Sequence, residues 1–195
     1  MLYDDRLFKP FNQVRNMNFC SHCGSDALDF IIPEGDHLPR YVCSNCGTIH
    51  YQNPKLIVGC LPVYEGKVML CRRAIEPRYG YWNLPAGFME SIETAEEGAK
   101  REVFEETGAT VEIQRLHVVY SIPKVSHVYL HFLADIKDGY FVEKTAESLE
   151  VKLFDEKDIP WDEIAFHSTT FALQKYFENP EEKEVRIGSL VLNEE

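Results

Sequence analysis

GFMESIETAEEGAKREVFEETGA, residues 87–109, couples a short loop to a single helix and decides the architecture around it. Thr94 followed by Glu97 forms a capping box, so a helix is expected to start there, and Gly108 supplies the expected stop. At about 100° per residue, Glu102, Glu105 and Glu106 share roughly one third of the helix circumference. Three carboxylates held that close repel one another unless a cation sits among them. Hard divalent ions such as Mg2+ take oxygen ligands, so the patch reads as a metal site. Gly98 lies one turn before Glu102, and because a helical glycine costs about 1 kcal/mol against alanine, it suggests that room is needed above the patch. Ala99 and Val103 project to a neighbouring face suited to packing on a sheet, and Arg101 can reach back to Glu93 and tie loop to helix. A solvated acidic face is the ordinary reading of a charge run. The fixed offsets of glycine, glutamate, arginine and the glutamate pair favour the metal site instead.

The stretch resembles the Nudix box and matches that family's pattern at its defining positions. The resemblance implies an α/β fold, an α/β/α sandwich with a mixed sheet, and a hydrolase that cleaves a diphosphate linked to a nucleoside. It implies Glu102, Glu105 and Glu106 as ligands of Mg2+ or Mn2+, with Gly87, Glu93 and Arg101 orienting the loop. Ile92 and Ala86 stand where many members have glycine, which bears on substrate shape more than on chemistry.

With 195 residues, 45% of them hydrophobic, the chain can hold one medium domain and a small module. Its formal net charge of -12 argues against a long nucleic acid as the main partner, since phosphates need basic surface. A small anionic ligand bridged by metal stays compatible. No run approaches the ~18 apolar residues of a membrane span, and the acidic start MLYDDRLFKPF is not a secretory signal. A cytoplasmic location is the default expectation.

Residues 1–17 mix charge and aromatics without periodicity and are expected to form an irregular arm. FCSHCG (19–24) and YVCSNCG (41–47) then place Cys20, Cys23, Cys43 and Cys46 in two Cys-x-x-Cys knuckles, the ligand spacing of a zinc ribbon over 18–52. Disulfides are the competing reading, but a cytoplasmic chain keeps thiols reduced. Four cysteines close a tetrahedral site with no open position for water, so zinc there is expected to stabilise and not to catalyse, with His22 outside the ligand set. Cys60 and Cys71 read as buried thiols in apolar strands.

A larger domain is expected over 53–180. LIVGCLPVY (56–64) is a strand, Glu65-Gly66 a tight turn and 67–71 its hairpin partner. Residues 111–122 and 127–136 alternate as two long strands, 144–150 is expected to be a loop, 151–154 a short strand, and 162–177 a helix. Within the acidic tail, 181–195, residues 185–192 can pair as an edge strand, and the extreme end is expected to be mobile.

Hydrolysis of a diphosphate needs a positioned water, neutralised phosphates and a proton acceptor. Ions in the glutamate patch serve the first two. For the third, the resemblance points to a glutamate of the later loop, where AESLE offers Glu147, preferred, or Glu150. Arg72 and Arg73 can neutralise phosphate oxygens, and Phe88, Tyr120 and Tyr129 can stack on a flat ring, although core packing is the ordinary role of such aromatics. A ribbon ahead of a Nudix box is similar to the NADH pyrophosphatases, whose Ser-Gln-Pro-Trp-Pro-Phe-Pro signature is replaced here by SIPKVSH (121–127). YQNPK, VGC, LPAG, the box, ESLE and IAF resemble instead a ribbon-bearing group of FAD and ADP-ribose pyrophosphatases, which implies AMP as one product and, by analogy with relatives, a homodimer. NADH- or NAD-type dinucleotides are the alternative substrates. A non-catalytic nucleotide sensor or nucleic-acid-binding regulator is the alternative of a different class. The complete glutamate set speaks against that last reading.

Overall fold

Lys55–Tyr64 (β4) alternates its side chains between two apolar layers, and the domain is assembled around it. Val58 and Cys60 join one buried cluster with Ala99 and Val103, while Leu61 joins a second cluster with Ala172, Leu173 and Tyr176. Because successive side chains of a strand point to opposite faces, the two clusters lie on opposite sides of one sheet. The computed structural model describes residues 17–191, so the expected arm, apart from Met17, and the last four residues of the tail lie outside the described residues.

The backbone divides into two compact units that meet at Pro54 and Lys55. In the first, Leu28–Ile31 (β1), Arg40–Cys43 (β2) and Ile49–His50 (β3) form a three-stranded antiparallel sheet in that order. In the second, Lys67–Arg73 (β5) pairs antiparallel with β4 after the turn at Glu65 and Gly66, whose positive φ values of 48° and 78° are what so tight a reversal requires. Trp82–Asn83 (β6) pairs with β5, and Ala86–Phe88 (β7) pairs with β4. Val111–Ile122 (β8), His127–Ile136 (β9), Ser148–Phe154 (β10) and Arg186–Ser189 (β11) complete a mixed sheet ordered β10-β5-β4-β9-β8-β11. β4 with β9 and β8 with β11 are parallel.

Ala95–Thr107 (α1) covers one face and His167–Glu178 (α2) the other, giving the expected α/β/α sandwich. The start and end of α1 follow its caps. Thr94 accepts from the Glu97 amide, the Glu97 carboxylate accepts from the Thr94 amide, and Gly108 adopts φ 68°. None of the helices among the described residues is long and apolar enough to cross a membrane.

Three expectations are corrected. The loop foreseen over 144–150 ends early, because Ser148 already pairs with Arg73, and a register shift then separates it from Glu150. The foreseen helix over 162–177 begins at His167 instead: the backbone at Ile164 bridges Trp82, and the Ala165 amide donates to the Trp82 carbonyl at 2.8 Å, which draws this stretch out of the helix. Gly98 makes room for a different neighbour. A Cβ there would meet Glu93 Oε1 at 2.6 Å and Val58 Cγ2 at 2.9 Å, so the glycine admits the loop carboxylate and lets the helix close on β4.

Candidate active site

Arg101 is the hub of the box. Its guanidinium donates to both Glu93 oxygens at 2.9 and 2.7 Å, to Glu102 at 2.7 Å, to Glu105 at 2.9 Å and to the Phe88 carbonyl at 3.2 Å. The fork geometry of arginine suits such bidentate capture, and it holds the Glu93 carboxyl down at about 2. Glu93 in turn accepts from the Glu90 amide at 2.8 Å, so the turn before α1 is fastened at both ends. The salt-bridged pair forecast for Arg101 is therefore present, with two further acids on the same cation.

Glu102 and Glu106 lie one turn apart on α1 and are both buried. Glu102 rests against β7 at Gly87, where a Cβ would lie 2.3 Å from its carboxylate, so only glycine leaves that seat open. Burial raises the Glu102 carboxyl above its ordinary range, against the pull of Arg101. Burial, then the neighbouring Glu102, pushes Glu106 up to about 8, although Arg73 and a hydrogen bond from the Ala86 amide work the other way. Two buried carboxylates that repel each other are relieved by a retained proton or by a cation between them. Their hard oxygen donors suit a divalent ion of the Mg2+ or Mn2+ kind, and Gly87 leaves room for the Glu102 carboxylate that would contribute to holding it.

Glu105 is placed differently. Its side chain is half exposed and turned to Arg101, so the three carboxylates do not converge into one tight cluster. Glu147, from the loop before β10, stands close enough to raise both Glu102 and Glu106 electrostatically. That loop is tied to the helix, since Thr145 Oγ1 donates to the Glu106 carbonyl at 3.3 Å and accepts from the Glu147 amide at 3.2 Å. Glu150 is turned elsewhere, pairing with Lys152 and, at 4.0 Å, with Arg72.

The two arginines separate in the same way. Arg72 donates to the Gly80 carbonyl at 2.8 Å and covers the Trp82 ring at 6.0 Å, away from the acids. Arg73 lies over the Phe166 ring at 5.1 Å and acts on Glu106, Tyr129 and Glu147 together. Phe88 is 49% exposed, whereas Tyr120 is buried against Phe171 at 5.2 Å between ring centroids. Two contributors had no signal of their own in the sequence: the Ala86 amide and the Cys71 thiol, which also hydrogen-bonds Glu106.

In the smaller unit, Cys20, Cys23, Cys43 and Cys46 bring four sulfurs within 4.8 Å of one another, and all six cysteines are free thiols. The Cys20–Cys46 and Cys23–Cys43 sulfurs are 3.7 and 3.6 Å apart. A tetrahedron with metal–sulfur bonds of about 2.3 Å has edges of roughly 3.8 Å, so the donor set fits tetrahedral zinc. The knuckles repeat one geometry: Gly24 donates to the Cys20 carbonyl and Gly47 to the Cys43 carbonyl, with φ of 74° and 73°. Thr48 hydrogen-bonds the Cys46 sulfur and draws that thiol down to about 6, which favours the thiolate.

Both units of the chain match known families. The NUDIX domain matches residues 53–174 and the Nudix N-terminal family residues 18–52. The chain belongs to the Nudix family, hydrolases acting on nucleoside diphosphate derivatives, and carries that family's N-terminal zinc-ribbon module. It is 30% identical over 144 residues to the NAD-capped RNA hydrolase NudC of Chromobacterium violaceum, covering 73% of this chain and 51% of that protein. It is 32% identical over 114 residues to the ADP-ribose pyrophosphatase of Methanocaldococcus jannaschii, covering 56% and 67%. A crystal structure of a NUDIX hydrolase from Nitrosomonas europaea superposes with a TM-score of 0.83 and 51% identity over 89% of this chain and 99% of that one. The chain spans about half the length of the NAD-capped RNA hydrolases it matches.

Proposed function

We propose that the protein is a divalent-metal-dependent pyrophosphatase that hydrolyses the diphosphate of an ADP-containing nucleotide, ADP-ribose or FAD, to AMP and the second phosphate product. The observation that carries this reading is the burial of Glu102 and Glu106 side by side on α1, with Arg73 and Glu147 facing them. A bound Mg2+ or Mn2+ supplies charge neutralisation at the phosphates and a more acidic water. Glu102 and Glu106 would hold the ion, with Glu105, now paired with Arg101, as the third carboxylate of the set. Arg73, whose charge acts on Glu106 and Glu147, takes phosphate oxygens. Glu147 accepts the proton as water's oxygen bonds to phosphorus and the bridging P–O bond breaks. Glu93 and Arg101 keep the loop in place, and the half-exposed Phe88 ring is offered to the nucleotide.

NADH or NAD-type dinucleotides are a second reading, favoured by the similarity to NAD-capped RNA hydrolases. The cysteine tetrad holds structural zinc in this proposal. A thiolate site of that kind belongs in a reducing compartment, which supports a cytoplasmic location. The assembly is proposed to be a homodimer, as the family resemblance implies, and light scattering checks it.

The reaction is tested by product identification after incubation of ADP-ribose, FAD and NADH with Mg2+. Wild type is expected to release AMP, and Glu106→Gln to lose at least about a hundredfold in kcat. Wild-type rates in Glu106→Gln would overturn the assignment.

A further inference from the structure

β7 joins the acid patch to a second surface of the same sheet. Gly87 turns towards α1, where Glu102 sits on it, so its neighbour Phe88 points to the opposite face. Phe88 lies across from Ile57, which lies across from Tyr129, and on the next pair along, Lys55 stands opposite His127. Residues paired directly across strands share a face. Lys55, Phe88, His127 and Tyr129 therefore line one bay at the rim of the sheet.

The contacts within it are specific. The Lys55 ammonium stands over the Phe88 ring at 4.8 Å, His127 meets the Phe88 ring edge-on at 5.6 Å, and Tyr129 meets His127 at 6.2 Å. The Lys55 amide donates to the Ser126 carbonyl at 2.8 Å, which fixes the lysine backbone beside the turn that opens β9. Arg73, held by its bond to the Pro77 carbonyl at 2.9 Å and lying over the Phe166 ring, acts electrostatically on both Tyr129 and Glu106. The bay thus combines aromatic rings with a cation set directly over one of them, in a chain whose net charge is -12.

We propose that Lys55 is a specificity-determining residue, and that this bay takes a flat, uncharged ring on the group distal to AMP and rejects a cationic one. The inference rests on the pyrophosphatase reading and adds to it the charge class of the ring. Stacking on Phe88 is indifferent to a ring's charge or weakly favours a cation, whereas the Lys55 ammonium, 4.8 Å from the Phe88 ring centre and so within a Debye length of about 8 Å, disfavours a like charge. Discrimination then comes from the repulsive element.

NADH and NAD+ separate these effects, because they differ in the charge and saturation of one ring and little else. The ratio of kcat/KM for NADH over NAD+ is measured in wild type, Lys55→Met and Lys55→Arg with Mg2+. Being a ratio within each variant, it is insensitive to a general loss of fold or activity. Wild type is expected to prefer NADH by about tenfold, Lys55→Met to bring the ratio close to unity, and Lys55→Arg to keep it. An unchanged ratio in Lys55→Met overturns the inference. If no dinucleotide releases AMP, the proposed reaction falls, and the same preference is read as Kd from NADH fluorescence and its displacement by NAD+. Displacement by NAD+ as effective as by added NADH, or binding of neither, overturns the inference in that case too.

Discussion

In the ribbon, four sulfurs stand within 4.8 Å of one another on two turns of the same shape, whereas in the box a guanidinium stands among the carboxylates and holds one of them apart. The ribbon ligands come from two short knuckles built on local bonds, each turn closed by its own glycine, with the short β1–β2 pair between them. The box ligands come from one helix but depend on β7, on Arg73 at the end of β5 and on the loop at Thr145, residues spread over the whole domain. A closed sulfur site therefore holds its module together, and an open oxygen site is held together by its domain. Breaking either should show opposite consequences for stability and activity.

The largest effect is expected from Cys43→Ser. Cys43 is fully buried and its thiolate cannot be replaced by a hydroxyl, so the tetrad loses its metal and the ribbon its folding energy, on the order of 10 kcal/mol for a structural zinc. Elemental analysis is expected to find wild type with one zinc per chain and the variant with none, and proteolysis to cut the variant between residues 18 and 52. Glu106→Gln, by contrast, replaces a carboxyl whose ionisation burial already penalises with a neutral group of the same size, so its unfolding temperature is expected to match or exceed that of wild type while hydrolysis is lost. A ribbon that kept its protection in Cys43→Ser would erase the contrast.

A second effect separates acid sensitivity of the domain from the box itself. His131 on β9 is buried, both ring nitrogens lack a hydrogen-bond partner among the described residues, and burial followed by the nearby His117 drops its pKa from 6.5 to about 3. The folded-state value lies below the unfolded one, so the unfolded chain takes up the proton first, and stability is lost as pH falls from about 6.5 towards 3. The slope is roughly 1.4 kcal/mol per pH unit for this one group. His131→Leu is expected to flatten the dependence of unfolding free energy on pH in that window, measured by urea titration. An unchanged slope would assign the acid sensitivity elsewhere.

How much of each region the sequence disclosed follows the same division. The knuckles and the helix caps are local, and their residues Thr94, Glu97, Gly24 and Gly47 stand in the geometry that spacing alone suggests. The start of α2 was not legible, because what stops the helix is Trp82, far earlier in the chain, pairing with Ile164 and Ala165. Nor could Arg72 be told from Arg73: adjacent residues of a strand point to opposite faces, and which face carries the acids is decided by α1 packing on β4. The destination of Glu105 was hidden for a related reason, since helical periodicity places three carboxylates together but says nothing about how one arginine divides itself among them.

The smallest effect tests whether the box is as dependent on its surroundings as the comparison claims. Gly98→Ala ought to help an isolated helix by about 1 kcal/mol. In this fold the added Cβ would meet the Glu93 carboxylate at 2.6 Å and the Val58 side chain at 2.9 Å. Glu93 is the flexible neighbour, but it is held by two bonds from Arg101 and one from the Glu90 amide, so it yields only by loosening the hub that also carries Glu102 and Glu105. The expected result is a net loss of about 1–2 kcal/mol on chemical denaturation, overpacking outweighing propensity, together with a fall in kcat as the loop loses its anchor. A more stable and fully active Gly98→Ala protein would mean that the loop and the helix are not coupled through this contact. The box would then be a local device like the knuckles of the ribbon.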